Sequence, residues 1–234
     1  LLMHRSGGVK STQVLGGTLG LNVNDRFGTS LARLRDVDGD GVPELAVGAP
    51  FDDTNGADRG AVYLLRLNSN GTLKSSIKLA SGVSGMPSLA NNDRFGASLS
   101  SFEDFGTIGS GLVVGATGDN AFSGAVYIIS SLNFFSANVN GVTKIASGVS
   151  GGPTLVGNAG FGSSIANLGD VDGDGFGDLA VGAYTDGGPG AARQQRPGRL
   201  LRPGGADSRP DPDAPGNGAP GRRVGRSGRR RRPG

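Results

Sequence analysis

Short apolar or alternating stretches of five to eight residues recur along the chain, and turns rich in Gly, Asp, Asn and Ser separate them. Alternation with a period of two residues, or a short apolar run bounded by turn residues, is typical of β-strands. In the first group of such stretches, the predicted strands lie near residues 27–34, 45–49, 61–67 and 75–79. No segment of useful length shows a helical period, so the pattern predicts an all-β fold.

This group of four strands repeats along the chain with a period near 67 residues. Phe-Gly pairs begin at residues 27, 95 and 161, and Gly-Ala pairs begin at residues 48, 115 and 182. Each repeat is one supersecondary unit that buries its faces against its neighbours, so we expect the recurring phenylalanines to pack between repeats. Four short antiparallel strands per repeat are typical of a β-propeller blade. The predicted fold is therefore a partial β-propeller of about three four-stranded blades, followed by a disordered C-terminal tail.

The repeats divide the chain into five segments. These are the partial end of a preceding repeat, repeat 1, repeat 2, a truncated repeat 3 and the tail, at residues 1–21, 22–88, 89–154, 155–190 and 191–234. Propellers have about four to eight blades, so three cannot close a ring. We expect a fragment, a component of an assembly, or an open array whose exposed sheet edges tend to associate. The start at Leu1, without the apolar region of a signal peptide, is in keeping with a fragment.

Two acidic loops interrupt the repeats, with the sequences DVDGDGVPE at residues 36–44 and DVDGDGFGD at residues 170–178. Each has carboxylates at positions 1, 3, 5 and 9, and a glycine at position 6 that permits a sharp turn. A backbone carbonyl at position 7 can supply a fifth oxygen. Oxygen donors without sulfur or nitrogen are typical of a site for a hard cation such as Ca²⁺. The predicted ligands are Asp36, Asp38, Asp40, Val42 and Glu44 in the first loop, and Asp170, Asp172, Asp174, Phe176 and Asp178 in the second.

These loops differ from EF-hands, which need a bidentate Glu at position 12 and a helix on each side. Position 12 is Val47 in the first loop and Val181 in the second, and the flanking residues are short, apolar and strand-like. We therefore expect each metal loop to join two β-strands. The simplest alternative is a solvated Asp/Gly turn that binds no ion. Two nearly identical copies with the full ligand pattern favour the metal loop.

The middle repeat has lost this pattern. Aligned on Gly115, its positions 1, 3, 5 and 9 are Glu103, Phe105, Thr107 and Gly111, so a single carboxylate remains. We predict that the blade persists without a metal.

Composition excludes several kinds of site. The chain has no cysteine and a single histidine, His4, so it has no disulfide, thiolate metal site or cysteine nucleophile, and a histidine-based triad inside the fold is not expected. It also lacks a phosphate-binding Gly-Lys-Ser/Thr motif and a Gly-x-Ser-x-Gly nucleophile elbow. We expect no enzyme activity. No apolar run approaches the roughly 20 residues that cross a bilayer, so no membrane span is expected.

Charge separates the tail from the rest of the chain. Residues 193–234 contain 12 arginines and three aspartates, whereas residues 1–192 contain 11 basic and 17 acidic residues. The tail has few large apolar residues and cannot bury a core, which predicts disorder. Because the repeat stops abruptly after Gly187 and an Arg/Pro/Gly bias begins, we hypothesise a frameshifted reading of the gene. A basic arm that binds nucleic acid or an acidic polymer is the alternative, which the lack of interleaved aromatic residues disfavours.

The order of Phe-Gly, acidic loop and Gly-Ala-Pro resembles the FG-GAP repeats of the integrin α-chain head and of secreted bacterial proteins. The resemblance covers residues 22–188, and the Gly/Ser-rich connectors without cysteine are more similar to the bacterial secreted members than to animal integrins. Glu44 stands where the family more often has Asp. The matching positions in the first repeat are Phe27, Gly28, Asp36, Asp38, Asp40, Gly41, Glu44, Gly48, Ala49 and Pro50.

This resemblance implies a calcium-binding module for adhesion or for binding a protein or glycan ligand. It implies a location outside the cell or on its surface, where calcium is plentiful enough to load such loops. Expected partners are that ligand, and other repeats of the parent chain or further copies of this chain that complete the propeller; a nucleic-acid partner is not expected. The alternative function is a structural spacer in a larger secreted protein or enzyme, with no binding activity of its own.

Overall fold

Three antiparallel sheets form the body of the fold in the computed structural model of the chain. The structure describes residues 1–102, 111–130, 132–133, 138–139, 141–174, 177–185 and 200–201. In chain order the strands are β1 (Leu2–Met3), β2 (Val9–Ser11), β3 (Ser30–Arg33), β4 (Leu45–Ala49), β5 (Ala61–Leu67), β6 (Leu73–Ala80), β7 (Phe95–Phe102), β8 (Gly111–Ala116), β9 (Ala125–Ile129), β10 (Leu132–Asn133), β11 (Asn138–Val139), β12 (Val142–Ala146), β13 (Phe161–Gly169), β14 (Asp178–Ala183) and β15 (Leu200–Leu201). The segment α1 (Asp119–Phe122) lies between β8 and β9. Because its Asn120 and Ala121 have φ angles of 49° and 53°, it is a left-handed turn rather than a regular helix.

Blade 1 consists of β3, β4, β5 and β6, and blade 2 consists of β7, β8, β9 and β12. In both blades each strand pairs antiparallel with the next, so each sheet is a four-stranded meander. Strands β10 and β11 form a separate hairpin between β9 and β12. Blade 3 contains β13 and β14, with β15 beside β14. The predicted all-β fold with about three propeller-like blades is confirmed.

The first strand of blade 1 is shorter than the sequence pattern predicts. The prediction covers residues 27–34, whereas β3 spans Ser30–Arg33. Arg26 and Gly28 have positive φ angles of 53° and 94°, and the Gly28 N–H donates to the Gly48 carbonyl at 3.0 Å. The Phe-Gly pair therefore forms a bend before the strand rather than its first two residues.

Alternating side chains of the central strands hold the blades together. Successive residues of a strand point to opposite faces. In β8, Val114 belongs to the core between blades 1 and 2, and Val113 belongs to the core between blades 2 and 3. Phe95 is fully buried in the first of these cores and Phe161 is 3% exposed in the second. As the repeat period predicts, these phenylalanines pack between blades.

The face of blade 1 that turns away from blade 2 is covered by residues that precede the blade. A core forms there between strand residues such as Val47, Tyr63 and Leu65 and partly buried side chains of the preceding segment. Those side chains are Leu15, Leu19, Leu21 and Phe27. The Phe27 ring meets the Tyr63 ring edge-on, with centroids 5.4 Å apart. This contact anchors the preceding segment to the blade.

Glycines bring neighbouring blades into backbone contact. A Cβ added at Gly48 of β4 would overlap the carbonyl oxygen of Gly96 in β7, and the Ser30 hydroxyl donates to that same oxygen at 2.7 Å. The next junction repeats the arrangement, because a Cβ at Gly115 would overlap the carbonyl oxygen of Gly162. At both junctions the glycine of a Phe-Gly pair thus meets the glycine of the preceding Gly-Ala pair. No side chain fits at this distance.

Two residues of the tail are described, and they form β15. Leu200 and Leu201 pair antiparallel with Ala180 and Leu179 of β14, in the position that the third strand takes in blades 1 and 2. At these two residues the structure differs from the predicted disorder. The rest of residues 191–234, and with it the frameshift hypothesis, lies outside the described residues. Within the described part of the chain, no helix has the length and apolar character to cross a membrane.

Candidate metal centres

The first acidic loop joins β3 to β4 at one end of blade 1, and its aspartates converge. Carboxylate oxygens of Asp36, Asp38 and Asp40 lie within 4.8 Å of one another. The Asp36 carboxylate accepts hydrogen bonds from the backbone N–H groups of Gly39 and Gly41, each with an N···O distance of 2.7 Å. These bonds curl the loop around the carboxylate. Both glycines have positive φ angles, 76° and 83°, a conformation that glycine adopts without a steric penalty. The loop sequence thus brings three of its four acids to one point.

The other two predicted ligands of this loop make backbone contacts. The Glu44 side chain is buried, and its Oε2 accepts the Val37 N–H at 2.9 Å. Burial raises the pKa of Glu44 above its ordinary value, and the neighbouring loop aspartates raise it further. The N–H of Val42 donates to Asp40 at 2.8 Å. Glu44 is therefore a buried acid whose charge is opposed by Asp36 and Asp38, and a nearby cation would favour its charged form.

The second acidic loop joins β13 to β14, and its described residues repeat contacts of the first loop. Carboxylate oxygens of Asp170, Asp172 and Asp174 lie within 4.8 Å of one another. Asp170 accepts the Gly173 N–H at 2.8 Å, as Asp36 does in the first loop. Asp178, like Glu44, is buried and accepts a backbone N–H, that of Val171, at 2.9 Å. The predicted carbonyl ligand of Phe176 lies outside the described residues.

A basic side chain of blade 1 contacts the first loop. The Lys74 ammonium, on β6, lies 2.8 Å from Asp38 and 2.7 Å from Asp40, and the Arg66 Nε, on β5, lies 3.9 Å from Asp38. The hydrogen bond from Lys74 lowers the pKa of Asp40, and the hydrogen bond to Asp38 raises the pKa of Lys74. The Lys74 ammonium is a positive charge held by carboxylate oxygens of the loop. Together with an all-oxygen donor set, this contact fits a hard metal ion.

Sequence reasoning missed both basic residues. Its one usable signal was topology, because alternate hairpins of an antiparallel meander lie at the same end of the sheet. The hairpin of β5 and β6 therefore lies beside the loop of β3 and β4, and Arg66 and Lys74 flank that hairpin. Which of its side chains reach the loop is not encoded in the spacing of the residues.

The comparisons with known proteins agree with this architecture. The FG-GAP repeat family matches residues 27–65 and 161–195, which include both acidic loops. The chain contains FG-GAP repeats. It is 33% identical over 171 residues to human integrin alpha-11, 28% over 167 residues to Xenopus laevis integrin alpha-4, and 33% over 170 residues to Drosophila melanogaster integrin alpha-PS5. Each alignment covers 70% of this chain but only 13%, 15% and 15% of the respective integrin, so the chain spans a small part of these relatives.

The middle repeat keeps its four-stranded blade, as predicted, and the family match does not extend to it. Its loop positions Glu103, Phe105 and Thr107 lie outside the described residues, and Gly111 opens β8. The absence of a metal there remains a prediction.

Each of the first two repeats contains an Asp–Tyr–Lys network with a buried aspartate, at the connection between the second and third strands of the blade. In blade 1 the Tyr63 hydroxyl donates to Asp52 Oδ2 at 2.9 Å, and the Lys78 ammonium lies 2.7 Å from the same oxygen. The corresponding distances in blade 2 are 2.9 Å and 2.6 Å, and its members are Asp119, Tyr127 and Lys144. The network ties the connection between the second and third strands to the third and fourth strands.

Burial and charge shift the acidities within these networks. Burial, followed by the adjacent aspartate, raises the pKa of both tyrosines far above the ordinary value. Burial also acts to raise the pKa of Asp52, but hydrogen bonds from Lys78 and Thr54 outweigh it and hold the pKa below the usual value. The aspartate and lysine partners of these tyrosines were not predicted, although both residues recur at the repeat period in the two repeats. We interpret the networks as structural elements of the blade.

Proposed function

We propose that the chain is a calcium-binding FG-GAP module that binds a protein or glycan ligand outside the cell. The observation that supports it most is the presence of two loops with the same sequence pattern, each with three aspartate carboxylates within 4.8 Å of one another. The proposed ligands are the ten positions predicted from the sequence, Asp36, Asp38, Asp40, Val42 and Glu44, and Asp170, Asp172, Asp174, Phe176 and Asp178.

Bound Ca²⁺ would supply positive charge to a loop that carries four carboxylates. Two like charges 5 Å apart repel each other by about 0.8 kcal/mol in water and more strongly where solvent is excluded. Backbone N–H groups offset part of this repulsion in the first loop, where they donate hydrogen bonds to Asp36 and Glu44. Since each loop joins the first two strands of a blade, neutralising it stabilises that hairpin. At a free calcium concentration 100 times Kd, one site would stabilise the fold by about 2.7 kcal/mol.

The extracellular setting and the adhesive role rest on two arguments. Exposed calcium loops of extracellular modules bind at about 10⁻⁴–10⁻³ M, which loads them only where calcium is abundant. In addition, the relatives that the chain resembles are integrin alpha chains, although it spans only 13–15% of their length. We further propose that other repeats of the parent chain, or further copies of this chain, complete the propeller. Kinship with the secreted bacterial members remains a prediction.

Calorimetric titration of the whole chain with Ca²⁺ tests the metal sites. We expect two sites in the wild type, one in Asp38→Asn, one in Asp172→Asn and none in the double variant. Asp53→Asn is the matched control, because Asp53 is an exposed aspartate outside both loops and the amide oxygen can still accept the Asp58 N–H. Unchanged binding in the double variant, or no binding by the wild type at millimolar calcium, would contradict the proposal.

The binding role needs a separate assay. The wild-type chain would be applied to arrayed glycans and extracellular matrix proteins with calcium or with a chelator. Calcium-dependent retention that the double variant loses would support ligand binding. Calcium binding without any retained ligand would instead favour the spacer role.

A further inference from the structure

The two hairpins of blade 1 that lie at the same end of the sheet are joined by ion pairs. Lys74 reaches from β6 to Asp38 and Asp40, and its side chain is 37% exposed, against 8% and 30% for the two aspartates. Arg66 adds a second positive charge at 3.9 Å from Asp38. The contact is long-range in sequence, since 36 residues separate Lys74 from Asp38. The first acidic loop therefore has a cation supplied by its own blade.

This cation uses oxygens that a metal would need. Charge-assisted N–H···O bonds have heavy-atom distances of about 2.7–2.9 Å, which matches both contacts of Lys74. Calcium takes six to eight oxygens at about 2.3–2.6 Å. An ammonium and a divalent ion that share two carboxylate oxygens would lie within a few ångströms of each other, and their like charges would repel.

We propose that Lys74 is an internal counterion of the first acidic loop that competes with the divalent cation and must leave when the cation binds. This inference rests on the proposed function, because it concerns the regulation of that same site. Without the metal, Lys74 offsets the repulsion between the loop carboxylates and ties β6 to the loop. With the metal, the ammonium moves to solvent, and the cost of its departure weakens the affinity of this loop. Lys74 is thus an affinity-setting residue rather than a ligand.

An ordinary surface ion pair would behave differently. If Lys74 lay on the loop surface without affecting the metal site, replacing it would leave calcium affinity unchanged. If it held the loop in a shape needed for the metal, its removal would weaken binding. Competition for the loop oxygens predicts tighter binding after removal of the charge, and it also predicts that the ammonium becomes more accessible to solvent when calcium binds.

The test uses the whole chain carrying Asp172→Asn, so that the first loop is the remaining site, and Ca²⁺ itself is the probe. Lys74→Gln should bind calcium about three- to tenfold more tightly than its parent, the effect expected from no longer breaking the two ion pairs of a partly exposed lysine. Lys10→Gln is the matched control, since it removes one positive charge from an exposed lysine outside the loops and should leave affinity unchanged. Lys74→Arg keeps the charge and should gain little or nothing.

A second readout follows the lysine itself. Reductive methylation of the parent should modify Lys74 faster with calcium than without it, while Lys10 reacts at the same rate in both conditions. Equal or weaker calcium binding by Lys74→Gln, in a chain whose first loop still binds calcium, would overturn the counterion role and leave the proposed function intact. No calcium binding by the parent or any variant would overturn both.

Discussion

The buried ion pair of blade 1 allows a sharp prediction about stability. The Asp52 side chain is fully buried, and its Oδ2 atom receives both the Lys78 ammonium and the Tyr63 hydroxyl. Replacing Lys78 with Met leaves a buried carboxylate without its counterion. Removal of one partner from a buried pair typically costs about 3–5 kcal/mol. We expect about 2–3 kcal/mol here, because Lys78 is 30% exposed and Asp52 keeps its bonds from Tyr63 and from the Thr54 N–H.

Lys74 supplies an internal control on the same strand, four residues away. Of its two partners, Asp40 is 30% exposed, and Asp38 keeps the Arg66 charge 3.9 Å away, so Lys74→Gln should lower the free energy of unfolding much less. The double change Lys78→Met with Asp52→Asn should be less damaging than Lys78→Met alone, because no charge then remains buried. Urea unfolding followed by circular dichroism measures all three variants against the wild type.

The pH dependence of Lys78→Met is a further check. The folded-state pKa of Asp52 is held below its ordinary value, so this group stabilises the fold above the unfolded-state pKa of about 3.9, and the contribution is lost as pH falls through the lower, folded-state value. In Lys78→Met the carboxylate is protonated more readily. The stability deficit should therefore shrink as pH is lowered towards 4. An equal loss for Lys78→Met and Lys74→Gln at pH 7, or a deficit that is constant with pH, would refute this reasoning.

Three further predictions follow from the blade junctions and the buried acids. Gly115→Ala should lower the free energy of unfolding in urea by several kcal/mol, because the new Cβ would overlap the Gly162 carbonyl oxygen. The control Gly17→Ala, at a site with open space around it, should be nearly neutral, and a neutral Gly115→Ala would contradict the close contact between blades. Burial, reinforced by a neighbouring aspartate, raises the pKa of Asp93 and so disfavours its charged form in the fold. Asp93→Asn should therefore stabilise the fold at pH 7 and have no effect at acidic pH, and a loss of stability at pH 7 would contradict the prediction. Tyr127→Phe should lower the free energy of unfolding by about 1–2 kcal/mol, through loss of its hydrogen bond to a buried carboxylate, and an unchanged urea midpoint would show that the bond contributes nothing.

Local patterns predicted those parts of the fold and site that depend on neighbouring residues. The period of two residues and the 67-residue repeat were enough to predict the four-stranded meanders and the burial of Phe95 and Phe161 between blades. The acidic loops could also be predicted, because Asp36, Asp38 and Asp40 converge through hydrogen bonds within the loop itself.

Contacts between distant segments were not predictable in this way. Lys74 reaches the loop from a neighbouring hairpin, and Lys78 reaches Asp52 from the far side of β5, so neither contact can be predicted from local spacing. The shortened β3 has a similar cause, because the bend at Gly28 depends on a hydrogen bond to Gly48 in the next strand. The pairing of Leu200 and Leu201 with β14 depends on the edge that blade 3 offers and not on any strand signal in the tail.

The central claim is that two acidic loops bind calcium and thereby stabilise the blades. Differential scanning calorimetry of the wild type and of Asp38→Asn with Asp172→Asn, across a series of calcium concentrations, tests it most directly. We predict a wild-type Tm that rises with calcium, by roughly 5–10 °C per site at 100 times Kd, and a Tm of the double variant that does not respond. A wild-type Tm that is independent of calcium, or an equal rise in the double variant, would contradict the account.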